Sequence, residues 1–257
     1  WLIFMLPHSV VTVSVATAYF TRMSQHAANK DMTKFKTDLT TGLKVIALVS
    51  VISTAVLIIL SYPVARVFAG EYPATVALGN VVAAFMIGLV PFSFVYMMQR
   101  AFFALEDTRT PFFFTTIQIS IHITGSLILG ATMDKQWLVV SIALLTAVSV
   151  SVQGLIAYLA LRSRIGGLEG YGVGKSMFSF VLAAIPATAV GLVVLQWLGG
   201  ISEGSFVLDR VVTSVISGLA VGAAMLITYL GLLWVVKVPE LREVSGQLSA
   251  RFGRKSK

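Results

Sequence analysis

His8 and Thr12 lie four residues apart within an apolar stretch, as do Gln118 and His122, and His122 and Ser126. At that spacing two side chains share one face of a helix. Imidazole, hydroxyl and carboxamide groups placed there either hydrogen-bond to a neighbouring helix or line a cavity, because a buried polar group needs a partner or water. Both readings stand for these positions, and His8, Ser9 and Thr12 are the candidate substrate-binding residues. Two histidines without further ligands at suitable spacing do not make a metal site, and the chain has no cysteine, so no metal and no disulfide are expected. No carboxylate pair or nucleophile–base set accompanies them, so neither an enzyme nor a cofactor is expected.

A second constellation is Gln99-Arg100-Ala-Phe-Phe-Ala-Leu-Glu106-Asp107-Thr-Arg109-Thr-Pro111. Pro111 suits the first turn of a helix, with Thr110 as its N-cap. Arg100, Glu106, Asp107 and Arg109 bring opposite charges into one short segment. They form either a locally paired turn or a gate, in which charge pairs at a helix end hold one conformation and break in another.

These residues sit between and within seven long apolar stretches, over residues 1–20, 43–65, 76–98, 112–131, 137–161, 177–198 and 211–236. Each is near the ~20 residues that a helix needs to cross a hydrocarbon core. Sixteen of the nineteen Lys and Arg fall on alternate connections and the C-terminal tail; the other side has only Arg66, Lys135 and Arg210. The positive-inside rule puts the basic side, and the C-terminus, in the cytoplasm. Hydrophobic residues make up 57% of the chain and charged residues 12%, against about a quarter charged in a soluble domain. The predicted fold is an all-α polytopic membrane helix bundle in the plasma membrane. Its net charge of +8 flanks the spans rather than forming one patch, which points to membrane lipids and not to nucleic acid. No Lys, Arg, Asp or Glu lies mid-span, so neither a proton pump nor an ion channel is expected from these residues alone. The first apolar stretch opens at Trp1 without a polar flank, so further spans are expected upstream.

The connections carry their own signals. Met32, Phe35, Leu39 and Leu43 recur at three, four and four, with Lys30, Lys34 and Lys36 off the stripe. This predicts an amphipathic helix lying on the membrane surface. Gly166, Gly167, Gly170 and Gly172 predict a pliable third basic connection without a phosphate-cradling motif. After Trp234, Pro239 stops the last span, and Leu241, Val244, Leu248 and Phe252 predict a second, basic amphipathic helix.

The segment Arg-Ala-Phe-Phe-Ala-Leu-Glu-Asp-Thr-Arg-Thr-Pro resembles the signature of the MurJ/MviN family, the lipid II flippases of bacterial peptidoglycan synthesis, within the superfamily of polysaccharide and multidrug exporters. Leu6-Pro7-His8-Ser9-Val10 through Arg22-Met23-Ser24, and Gly88-Leu89-Val90-Pro91-Phe92, extend the likeness over most of residues 1–165. Residues 177–236 match by position and hydropathy only, and the Leu-Pro-His-Ser wording is similar to actinobacterial members. The resemblance implies a fourteen-helix flippase of which this chain supplies helices eight to fourteen. Residues 1–165 would be the C-terminal lobe, 166–236 the last two helices with their preceding loop, and 237–257 a basic cytoplasmic tail.

The family's substrate-binding arginines lie mostly in the N-terminal lobe. An Asp-Arg pair common just before the Leu-Pro falls here at Trp1-Leu2. The Asn and Asp of some relatives' sodium site fall at His122 and Ser126, so no sodium site is carried over. The family's last two helices carry the lipid tail, which makes Gly218 and Gly222 candidates for an apolar groove. The expected function is translocation of an undecaprenyl-pyrophosphate-linked peptidoglycan precursor by alternating access. The alternatives are an exporter of another polyprenyl-linked saccharide, or a non-transporting scaffold for cell-wall synthesis proteins.

Overall fold

The computed structural model describes residues 2–168 and 170–240. Its helices are α1 (Leu2–Pro7), a π-helical segment (His8–Val13), α2 (Ser14–Ala28), α3 (Met32–Ile59), α4 (Ser61–Phe68), α5 (Tyr72–Met86), α6 (Leu89–Ala104), α7 (Arg109–Thr132), α8 (Lys135–Ile165), α9 (Val173–Trp197), α10 (Phe206–Asp209) and α11 (Val211–Val235). Six spans are single membrane-length helices, counting 2–28 as one; α5 and α6 form the seventh, bent by 41°. Among the described residues there is no strand.

Local chemistry sets the breaks. Pro7 lacks an amide hydrogen, and the hydrogen-bond register loosens into the π-helical segment directly after it. The Asp31 carboxylate accepts from the Lys34 backbone N–H at 3.1 Å and starts α3. Gly88, at the α5–α6 bend, lies so close to α8 that an added Cβ would sit 3.1 Å from the Ala147 Cα. Gly166 closes α8 in the left-handed conformation at φ 75°.

The stripe of Met32, Phe35, Leu39 and Leu43 does not form a separate surface helix. It is the opening of the continuous second span α3, and Phe35, Leu39 and Leu43 are buried in a core cluster with Tyr19, Met23, Met97 and Ala101. The apolar face packs on α2 and α6 rather than on lipid headgroups, because the bundle offers it a dry protein partner. The second span correspondingly ends at Ile59. Residues 61–68 form the short helix α4, whose Arg66 donates to the carbonyls of Ala69, Gly70 and Leu208 at 2.8 Å and of Asp209 at 2.9 Å. One of the three basic residues on the basic-poor side is thus a clamp between two connections. The expected amphipathic helix over 241–257 lies outside the described residues.

Candidate functional site

The first span presents two polar faces. Inward, His8 and Thr12 are both buried and converge on Ser93 of α6: Thr12 Oγ1 donates to Ser93 Oγ at 3.1 Å, and His8 Nδ1 stands 3.5 Å from the same oxygen. The π-helical segment aligns the two side chains. The His8 ring packs against Phe92 at 4.5 Å and edge-on against Tyr96 at 5.1 Å. Tyr96 accepts from Arg100 Nη2 at 2.6 Å, and the Arg100 guanidinium lies 5.8 Å from the Phe20 ring centre. Ser93, Tyr96 and Arg100 recur at three and four along α6, so the contacts form one ladder from mid-span to the basic-rich end.

Outward, Ser9, Ser14, Thr17, Thr21 and Gln25 are exposed on the other face. Ser9 Oγ bonds only to the Leu6 carbonyl of its own helix, at 3.2 Å. The three candidate substrate-binding residues are therefore divided: His8 and Thr12 belong to the internal ladder, and Ser9 to the open face.

At the basic-rich end the first two spans are locked by Asp38, whose side chain is 5% exposed. It pairs with Arg22 Nη2 at 2.6 Å, and His26 Nε2 lies 3.2 Å from its other carboxylate oxygen. Lys44 Nζ lies 3.3 Å from Glu240, which also accepts from Ser176 Oγ at 2.7 Å. This ties α3 and α9 to the chain leaving the last span. Val238 is buried alongside Leu48, Val51 and Tyr229.

The segment 100–111 is arranged differently from a charge-paired turn. Arg100 points along α6 to Tyr96. Asp107 caps α7, accepting from the backbone N–H of Arg109 at 3.1 Å and of Thr110 at 3.0 Å, and from Thr110 Oγ1 at 2.8 Å. The capping carboxylate is thus Asp107 rather than the Thr110 hydroxyl. The Thr110 N–H bond, foremost, holds the Asp107 carboxyl below the ordinary aspartate range. Glu106 turns the chain with φ 58°, and Glu106 and Arg109 are exposed.

The two groove glycines also part company. A Cβ on Gly218 would meet nothing within 4 Å, whereas one on Gly222 would lie 3.8 Å from Leu60 and 4.0 Å from Val56. Val56, with Leu226 one turn beyond Gly222, lines an apolar cavity of 380 Å³ that reaches Ile3, Leu6 and Pro7 of the first span. His122 Nδ1 and Ser126 Oγ are enclosed without hydrogen-bond partners.

Sequence reasoning missed Ser93, Tyr96 and Asp38. Ser93 and Tyr96 carry no one-dimensional signal beyond the α6 period. Asp38 was visible only as an acid beside the stripe of a basic segment.

A bundle of membrane-length helices, with its charges at span ends, defines an all-α multi-pass membrane protein. The chain belongs to the MurJ lipid II flippase family, whose family model matches residues 1–217. A probable lipid II flippase MurJ of Rhizobium meliloti is 25% identical over 200 residues, covering 76% of this chain and 37% of that protein. The lipid II flippase MurJ of Thermosipho africanus is 29% identical over 163 residues, covering 62% and 31%. A solved lipid II flippase MurJ in an inward closed conformation superposes with a TM-score of 0.63 at 20% identity, covering 88% of this chain and 44% of that one. The matched parts thus cover less than half the length of each of these relatives.

Proposed function

We propose that this chain is the C-terminal part of a flippase that moves a polyprenyl-pyrophosphate-linked peptidoglycan precursor between leaflets by alternating access. The observation that carries the reading is the open polar face of the first span. Ser9, Ser14, Thr17, Thr21 and Gln25 are exposed on a helix of membrane length. Polar side chains on a spanning helix face a cavity or another part of the protein rather than acyl chains. Family membership supplies the substrate class. In this reading, Ser9 and the hydroxyls beyond it form one wall of the substrate path, and His8, Thr12 and Ser93 hold that wall on α6. Arg100 stands at the path's cytoplasmic end, where neutralising it disturbs closure. The cavity beside Gly222 and Leu226 takes the apolar tail. Basic residues on alternate connections support a cytoplasmic C-terminus.

The test uses single cysteines in the full-length flippase, on a cysteine-free background. Thr17→Cys reacts with a membrane-impermeant thiol reagent, and the lipid-linked precursor protects it. Absence of labelling in every conformational state would overturn the cavity-facing reading. In the same cells, Glu203→Cys is accessible from outside and Lys36→Cys is not; the reverse pattern would overturn the orientation.

A further inference from the structure

A second apolar cavity, of 570 Å³, lies away from the first span, lined by Leu43, Phe94, Met98, Gly154, Tyr158 and Met177 among others. Its size is within the ~300–1,000 Å³ of ordinary small-molecule sites. It occupies a gap: α8 packs chiefly on α5, α6 and α7, and α9 on α3 and α11, so the main partners of these two consecutive spans lie elsewhere than on each other. In a bilayer, a gap between two spanning helices opens to acyl chains. The walls are largely apolar: their side-chain hydroxyls are those of Tyr158 and of Ser151, the latter already bonded to the Ala147 carbonyl at 2.7 Å. A polar ligand would find few partners there, whereas a hydrocarbon chain needs none.

The mouth has a different character. It is edged by Leu168, Gly170, Gly172, Val173 and Gly174 at the basic-rich end. A methyl group built on Gly172 would lie 3.8 Å from Lys44 Nζ, and one on Gly166 would lie 3.9 Å from Lys36 Nζ. Arg162 and Arg164 end α8 and Lys175 opens α9, so basic residues outnumber acidic ones in the sequence around this connection, even though Lys44 is shared with Glu240. Basic clusters between spans at a cytoplasmic surface attract anionic headgroups.

We propose that the α8–α9 gap binds an anionic phospholipid, with one acyl chain in the cavity and its phosphate at the lysine-rich mouth. This site is separate from the cavity beside Gly222, since the two share no lining residue. It rests on the cytoplasmic placement of the basic end but not on the transported substrate. An occupant here would fill the seam that the short α8–α9 connection leaves open, and so stiffen the attachment of the last two spans to the bundle.

The full-length protein is reconstituted in vesicles of equimolar phosphatidylethanolamine and phosphatidylglycerol carrying a trace of phosphatidylglycerol with a photoreactive group near its chain end. After irradiation, adducts map to the stretch between Gly154 and Tyr158 and to Met177. Gly154→Leu fills the cavity and abolishes them. Gly174→Leu blocks the mouth with the same result, at a position where an added Cβ meets nothing within 4 Å. Lys36→Gln with Lys175→Gln lowers the adduct yield while leaving the thermal midpoint unchanged. Adducts spread evenly over all spans, equal yield with a photoreactive phosphatidylethanolamine, displacement by a polyprenyl phosphate, or persistence in both cavity-blocking variants would each overturn the proposal.

Discussion

Arg22 and Asp38 form one ion pair, yet removing its two ends has unequal consequences. The Arg22 side chain is 58% exposed and the Asp38 side chain 5%. Arg22→Ala leaves a buried carboxylate with only the His26 ring beside it. Stranding one member of a buried pair costs about 3–5 kcal/mol; the exposure of Arg22 screens part of the lost attraction, so we expect about 2–3 kcal/mol. Asp38→Asn leaves the guanidinium near solvent and over the Tyr19 ring at 5.3 Å, where the loss is that of a surface pair, about 1 kcal/mol or less. The gap of about 1 kcal/mol or more corresponds to at least about fivefold in the folding equilibrium. The double variant removes the stranded charge and recovers most of the Arg22→Ala loss, a non-additivity expected of contacting residues. The assay is detergent-denaturation of the purified full-length flippase followed by tryptophan fluorescence. Asp38→Asn as damaging as Arg22→Ala, or additive losses in the double variant, would refute the assignment of burial as the deciding factor.

Arg100→Ala, and more mildly Tyr96→Phe, lowers transport more than membrane abundance, because a span-end contact contributes only ~0–1 kcal/mol to stability; equal losses in transport and abundance would reduce the ladder's lower end to packing. Asp107→Ala costs about 1 kcal/mol through loss of the α7 cap. Because its native value lies below the ordinary one, the wild-type contribution is complete above the unfolded value of ~4 and disappears as pH falls through the native value. An Asp107→Ala penalty that stays constant down to pH ~2 would exclude this. Gly218→Leu projects into open space and leaves the thermal midpoint unchanged, while Gly222→Leu meets Leu60 and Val56 and lowers it. If Gly218 borders the tail path, Gly218→Leu weakens binding of the long-chain lipid but not of a short-chain analogue; equal effects on both would remove it from the path.

The two constellations singled out in the sequence were legible to different degrees. His8 and Thr12 share a face, as their spacing predicts, because a four-residue interval survives the π-helical distortion. Ser9 could not be assigned to a face until the register after Pro7 was known. The 100–111 segment was recognisable as a span-to-span turn from Pro111 and its flanking polar residues. The roles of its charges depended on competition: the free N–H groups of α7 claim Asp107, and the Tyr96 hydroxyl claims Arg100. The stripe from Met32 to Leu43 has the same pattern whether it faces headgroups or helices, and only the presence of α2 and α6 beside it decided the matter.

The number and approximate places of the spans were legible in the sequence alone. Hydrocarbon requires every backbone group to be bonded within the segment, so a run of ~20 apolar residues has one solution, and Lys and Arg mark its ends. The partnering of side chains distant in sequence was not. The Thr12–Ser93 bond spans 81 residues, Arg66 reaches carbonyls 142 and 143 residues away, and the Tyr229 hydroxyl donates to the Leu48 carbonyl 181 residues away. Since lipid is as apolar as the helix surfaces, hydropathy does not say which face meets which helix. Close packing and the cost of an unpaired polar group inside the bundle decide that, and both exist only once the helices are assembled.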